Sequence, residues 1–112
     1  HERDLYGFTP LLQAAFDGQL EIMNLLLEAG ANIEAGDDWG DTPINVASWS
    51  GQTEVVARLL ELGAEPGAIN SNGNTALDHA QSQNHPDIAE LLQAAIESED
   101  SFAHLRHSRL KR

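Results

Sequence analysis

His104 and His107 stand three residues apart, a spacing that puts two imidazoles on one helix face, within reach of a single metal ion. The neighbouring sequence supplies no acidic third ligand, and His1, His79 and His85 are scattered along the chain. We therefore expect surface or helix-capping histidines and no metal, with His79 on a helix and His85, before Pro86, at a helix start. Cysteine is absent, which excludes disulfides and thiolate ligands. There is no glycine-rich phosphate loop, nucleophile elbow or zinc-protease pattern. Neither catalysis nor a cofactor is expected.

The stretch DDWGDTPINVASWSG, residues 37–51, points to a different chemistry. It holds both tryptophans, Trp39 and Trp49, in a chain with only four other aromatic residues, Tyr6, Phe8, Phe16 and Phe102. Asp17, Asp38 and Asp41 stand beside these rings in the sequence. Aromatic faces flanked by carboxylates suit a Lys or Arg side chain, through cation–π attraction and charge pairing together.

The net charge agrees with that chemistry. All 18 Asp and Glu lie in residues 1–100, where only Arg3 and Arg58 oppose them, so this body is formally −16. The last twelve residues hold Arg106, Arg109, Lys111 and Arg112 without an acid, and the whole chain is −12. A body of this charge repels phosphate backbones, so we expect no nucleic-acid partner. It favours basic partners, chiefly through encounter rate and exclusion of wrong ones. Solubility alone is the competing reason for such acidity. No apolar run approaches eighteen residues, so no membrane span is expected. The chain opens at His1 without a signal-peptide pattern, and we expect an N-terminus that has been trimmed or tagged on an intracellular protein, cytoplasmic or nuclear.

The elements that must position these groups repeat. Gly7, Gly40 and Gly73 are spaced by 33 residues, and the register holds without a gap through GFTPLLQAAFDGQLEIMNLLLEAGANIEAGD, GDTPINVASWSGQTEVVARLLELGAEPGAIN and GNTALDHAQSQNHPDIAELLQAA. Thr9 and Thr42 can each N-cap a helix that starts with Pro10 or Pro43, where a missing N–H costs nothing. Thr75 keeps the cap, although Ala76 replaces the proline. Gly18, Gly51 and Asn84 tolerate the left-handed backbone that ends such a helix. A second helix follows in each unit. We expect it to bury Ile22, Leu25 and Leu26, then Val55, Val56, Leu59 and Leu60, then Ile88, Leu91 and Leu92. Gly30 and Gly63 stop the first two of these helices, and Ile96 in the equivalent place lets the third run on. Helices of two to three turns do not survive alone, so stacking must stabilise them.

The TPLL, TPIN and TALD openings, the recurring G-x-x-E-hydrophobic-hydrophobic and GA elements, and the LL pairs resemble the ankyrin repeat over residues 4–97. The third unit departs, with NHPDIA and no GA. The resemblance implies an all-α ankyrin-repeat solenoid of helix–turn–helix units joined by hairpin-like loops. We divide it into residues 1–100, with repeats 7–39, 40–72 and 73–97, and a basic tail 101–112 that is a short helix or disordered. It further implies a non-catalytic protein-interaction module whose partners touch the hairpin tips and the exposed side of the first helices. Mapped here, the tips are Leu5, Tyr6 and Phe8, then Asp38, Trp39 and Asp41, then Ser71, Asn72 and Asn74. The first-helix positions are Phe16 and Asp17, Trp49 and Ser50, Ser82 and Gln83. From these we take Tyr6, Phe8, Phe16, Asp17, Asp38, Trp39, Asp41, Trp49, Ser50, Asn72, Asn74 and Gln83 as candidate partner contacts. The competing expectation is that Trp39 packs over a neighbouring hairpin and Trp49 over the next helix. Ile33-Glu34 and Pro66-Gly67 replace the family's valine-asparagine, so an asparagine-hydroxylation role does not carry over.

The two ends differ. Gln81 and Gln93 give repeat three the polar outer face of a cap. Repeat one keeps Leu11, Leu12, Ile22, Leu25, Leu26 and Leu27, so we expect further repeats or a second molecule to cover its N-terminal face. An assembly role, as one slice of a longer array or an oligomer, is thus the alternative to partner recognition. A regulatory domain of a larger protein is the third. The tail SFAHLRHSRLKR would cover repeat three through Phe102 and Leu105, or compete with a basic ligand for the acidic surface.

Overall fold

The computed structural model describes residues 7–110, with side chains from residue 7 to residue 98. Tyr6, a candidate contact, and the tip residue Leu5 lie outside the described residues. So do the side chains of His104, His107 and the basic tail. Six α-helices occur in order among the described residues: α1 (Pro10–Asp17), α2 (Leu20–Glu28), α3 (Pro43–Ser50), α4 (Thr53–Glu61), α5 (Ala76–Ser82) and α6 (Pro86–Leu110). There is no strand among the described residues. The first helices α1, α3 and α5 pack side by side in one layer, and each also packs on the helix that follows it. The small residues Ala14, Ala15, Ala47 and Ala80, at most 1% exposed, allow these close approaches.

Each first helix is cut to length by its ends. Thr9 precedes Pro10, and its hydroxyl accepts from the Leu12 N–H at 3.2 Å. Thr75 forms a full capping box with Asp78: the Asp78 N–H donates to the threonine hydroxyl at 3.1 Å, and the Thr75 N–H to the Asp78 carboxylate at 2.9 Å. Thr42 occupies the same extended N-cap conformation, but its side chain makes no cap bond and its hydroxyl is buried without a partner. Its backbone geometry, with Pro43 fixing φ at the next residue, suffices to start α3.

The latch at the far end recurs with the repeat. The Gln52 amide donates to the Phe16 carbonyl at 3.1 Å, and 33 residues on, His85 Nε2 bonds the Trp49 carbonyl at 3.3 Å. Each of these side chains lies over a glycine of the preceding repeat, Gly18 at φ 75° or Gly51 at φ 86°, where an added Cβ would collide with it. Glycine is required there twice over, by backbone handedness and by room.

The core runs between the helix layers. Leu12, Met23, Ile44, Val55, Val56, Leu59, Ile88 and Leu92 are at most 1% exposed. One expectation fails. Ile22 is 46% and Leu25 64% exposed, although of their 33-residue equivalents Val55 is 1% exposed and Arg58 donates to Asn24 of α2 at 3.2 Å. In α2 the buried residue is instead Met23. The reason is positional: that face packs against a preceding repeat, and none precedes α2 among the described residues. At the other end Gln81 and Gln93 are exposed, as a cap requires.

Candidate functional site

The hairpin tips are built by a side chain that precedes them. Asp37 Oδ1 accepts from the Trp39 N–H at 2.9 Å and the Asp41 N–H at 3.0 Å. Asn70 Oδ1 accepts from the Asn72 and Asn74 N–H groups at 2.9 and 3.0 Å. Both are Asx turns, stabilised because a short polar side chain reaches its own backbone two residues on. The two tips are then stitched together. The Trp39 carbonyl accepts from both the N–H and the hydroxyl of Ser71, each at 2.8 Å. The Trp39 backbone is thereby fixed while its indole remains 46% exposed.

Between the tips and the first helices lies a groove of about 410 Å³. Phe8, Phe16, Trp39 and Trp49 line one part; Asp37, Asp41, Asn45, Asn70, Asn72, Asn74, His79 and Ser82 line the rest, with Val46 in the wall. The rings form a ladder along the first two repeats. Phe8 meets Phe16 edge-on at 6.4 Å, and Phe16 stacks on Trp49 at 6.4 Å with 22° between planes. Phe16 is 37% and Trp49 46% exposed. Trp49 therefore both packs on a neighbouring repeat and presents surface.

Polar groups close the other half. Asp41 Oδ1 accepts from the Asn70 amide at 3.0 Å and lies 3.0 Å from His79 Nε2. Burial opposes ionisation of Asp41, but the hydrogen bonds from His79 and Asn70, with the positive charge the His79 ring can carry, outweigh it and hold the carboxyl below its ordinary value. His79 was expected at the surface or at a cap. It is instead buried at 9% exposure, because Asp41 gives its ring a partner. Asn45 is fully buried; its side chain also favours the charged form of Asp41, though neither amide atom makes a hydrogen bond of good geometry.

Of the candidate contacts, the groove brings together Phe8, Phe16, Trp39, Asp41, Trp49, Asn72 and Asn74. Four others lie outside its lining. Asp17 accepts from Gln13 at 2.8 Å on the exposed end of α1. Asp38 is exposed on the tip. Ser50 donates to the Phe16 carbonyl at 2.9 Å and so ties α3 to α1, and Gln83 is exposed beside Ser82. The groove also contains Asp37, Asn45, Val46, Asn70, His79 and Ser82, which were not among the candidates. Asp37 and Asn70 carry a readable signal, an Asx residue three before each tip glycine. His79 carries none, since its partner is 38 residues away.

Within residues 7–98 the sole Lys or Arg is Arg58, which bonds Asn24 and Glu61 on the second-helix side. Among the residues whose side chains are described, the groove carboxylates thus have no Lys or Arg counterion. Among the described residues no group of three or more His, Asp or Glu is placed to hold a metal ion, and no helix is long and apolar enough to cross a membrane.

A search of curated proteins finds no match to this chain. A family model described as ankyrin repeats, in three copies, matches residues 1–70 and again residues 34–100. With the 33-residue register, the paired helices and the Asx-built tips, that match makes the chain a member of the ankyrin-repeat family.

Proposed function

We propose that the chain recognises an extended, basic segment of another protein in its concave groove. Ankyrin repeats are generally protein–protein interaction modules and typically non-catalytic. One observation carries the finer reading: half-exposed rings, Phe16, Trp39 and Trp49, share a groove with two carboxylates, Asp37 and Asp41, and no Lys or Arg among the described side chains lines it. Rings provide large contact area at low side-chain entropy cost, and the carboxylates select for positive charge. The protein works inside the cell, in cytoplasm or nucleus, on this reading.

Titrating the protein with acetylated Lys/Arg peptides, and with acidic peptides of equal length, tests this. Trp39→Ala weakens basic-peptide binding by roughly tenfold or more, the range of an interface hot spot, with melting temperature unchanged. Equal affinity for acidic and basic peptides, or full affinity in the Trp39→Ala variant, overturns the reading.

A second reading has its own observation. The exposed Ile22 and Leu25 on α2 support an assembly role, in which a further repeat or a second copy covers that face. Sedimentation of the wild type beside Leu25→Glu separates the two: self-association abolished by the substitution favours assembly, and a monomer in both removes the second copy.

A further inference from the structure

We propose that Asp41 and His79 form a proton-gated cation subsite in the groove: Asp41 receives a Lys or Arg side chain of the bound segment while His79 is uncharged, and releases it when His79 gains a proton. This rests on the groove being the binding surface, and adds which residue holds the charge and what controls it.

The argument starts from one shared oxygen. Two internal donors, the Asn70 amide and the His79 ring, reach Asp41 Oδ1, each at 3.0 Å, so neither occupies Oδ2. The Asn45 side chain adds a weaker pull on the same carboxylate. The carboxylate is 22% exposed, so a ligand can approach it, while the imidazole, 11% exposed, is pinned behind it. A carboxylate so placed can serve an outside cation at its second oxygen.

The other charged groups around the pair do not substitute for His79. Asp37, on the same tip, is the sole other titratable group in the groove lining, and as an acid it can add no positive charge. Helix α3 has no titratable residue, and the third tip contributes only amides, Asn70, Asn72 and Asn74. On α5, Asp78 is held by its capping box with Thr75. Asp17 of α1, and Asp87 and Glu90 of α6 behind α5, are exposed outside the groove lining. His85 sits at the Trp49 carbonyl, where its ring lies over Gly51. His79 is therefore the one group in the groove lining whose side chain can take on a positive charge, histidine being the residue type that changes charge near neutral pH.

When it does, Asp41 acquires an internal counterion at hydrogen-bonding distance. A second cation then meets a neutralised pair and a like charge. Proton and partner compete for one carboxylate, and linkage makes the competition reciprocal.

The test uses the full chain and a histidine-free, acetylated and amidated peptide of Gly, Ser, Arg and Lys, followed by tryptophan fluorescence. Wild-type affinity falls about tenfold between about pH 8 and about pH 5.5, within the usual range of a coupling between two sites. His79→Gln keeps a donor near Asp41 and binds with the same affinity across that range, whereas His85→Gln retains the wild-type dependence. If His79→Gln does not fold, NMR of the wild type replaces it: the His79 ring signals change at lower pH with saturating peptide than without. A pH-independent wild-type affinity, a His79→Gln variant as pH-dependent as wild type, or unmoved ring signals overturns the gate and leaves the basic-segment reading standing. Absence of peptide binding at every pH overturns both.

Discussion

The α1–α3 and α3–α5 junctions occupy equivalent places in the 33-residue register, yet different chemistry closes them on the groove side. At the first, Phe8 meets Phe16 edge-on and Phe16 stacks on Trp49. At the second, where the tip position of Phe8 is taken by Asp41, the contacts are polar: Asp41 with Asn70 and His79, and Ser71 with the Trp39 carbonyl. Both junctions keep the same latch over the same glycine. Register thus fixes where a side chain goes, while its type decides what closes the junction and which conditions disturb it. Stacked rings are indifferent to protons. A carboxylate–imidazole pair is not.

The latches give the largest expected effect. Gly51→Ala places a Cβ 2.7 Å from the His85 ring, in a left-handed backbone at φ 86°. The ring is stiff and bonded to the Trp49 carbonyl, so strain and collision add. We expect a loss of about 2–3 kcal/mol in urea unfolding, of which about 1–2 is backbone strain. Gly18→Ala carries the same strain but meets the flexible Gln52 amide, which can swing aside, and loses about 1–2 kcal/mol. Equal losses at the two sites would show that the latches do not differ in stiffness.

Asp41→Asn comes next and acts only on the polar junction. A hydrogen bond to a charged group contributes about 1.5–3 kcal/mol, and the amide retains part of it, so a loss of about 1 kcal/mol is expected at neutral pH. Its pH dependence has a definite sign. The folded-state pKa of Asp41 lies below its ordinary value of 3.8, so its stabilisation is present above the unfolded value and is lost as pH falls through the folded one. The gap in melting temperature between wild type and Asp41→Asn should close as pH is taken below 3.8. A gap that stays constant would mean the carboxylate charge contributes nothing.

The ring junction supplies the contrast. A double-mutant cycle of Phe16→Leu and Trp49→Leu should give a coupling of about 0.5–1.5 kcal/mol, the same at acid and neutral pH. A coupling that titrates would break the distinction between the two junctions.

Much of this architecture is legible in the sequence, because it is carried by local signals. Thr-Pro starts, glycine stops and the 33-residue period place the helices, and the same period places Phe16, Trp39 and Trp49 along one side. What sequence does not disclose is partnership across repeats. Nothing local marks Asp41 as the acceptor for His79 and Asn70, since the bonds span 38 and 29 residues. Nor does the apolar pattern of α2 reveal that Ile22 and Leu25 lie open, because burial depends on the helix next door. Thr42 shows a third limit: it has the sequence of a cap and the backbone of a cap without the side-chain bond.

Asn84 offers the smallest test, on the one first-helix end that lacks glycine. It holds φ 61°, the sole positive φ outside glycine among the described residues, in the place taken by Gly18 and Gly51 in the first two repeats. Its amide makes no hydrogen bond to the described residues, and the residue is exposed. Asparagine is therefore there for its tolerance of left-handed backbone, not for a contact. Asn84→Gly relieves the Cβ strain but loosens the unfolded chain, and the two effects nearly cancel, for a gain of no more than about 0.5 kcal/mol. A loss above about 1 kcal/mol would show that the amide supports the polar junction directly. The end of α5 would then be held by side-chain chemistry where the ends of α1 and α3 are held by backbone conformation.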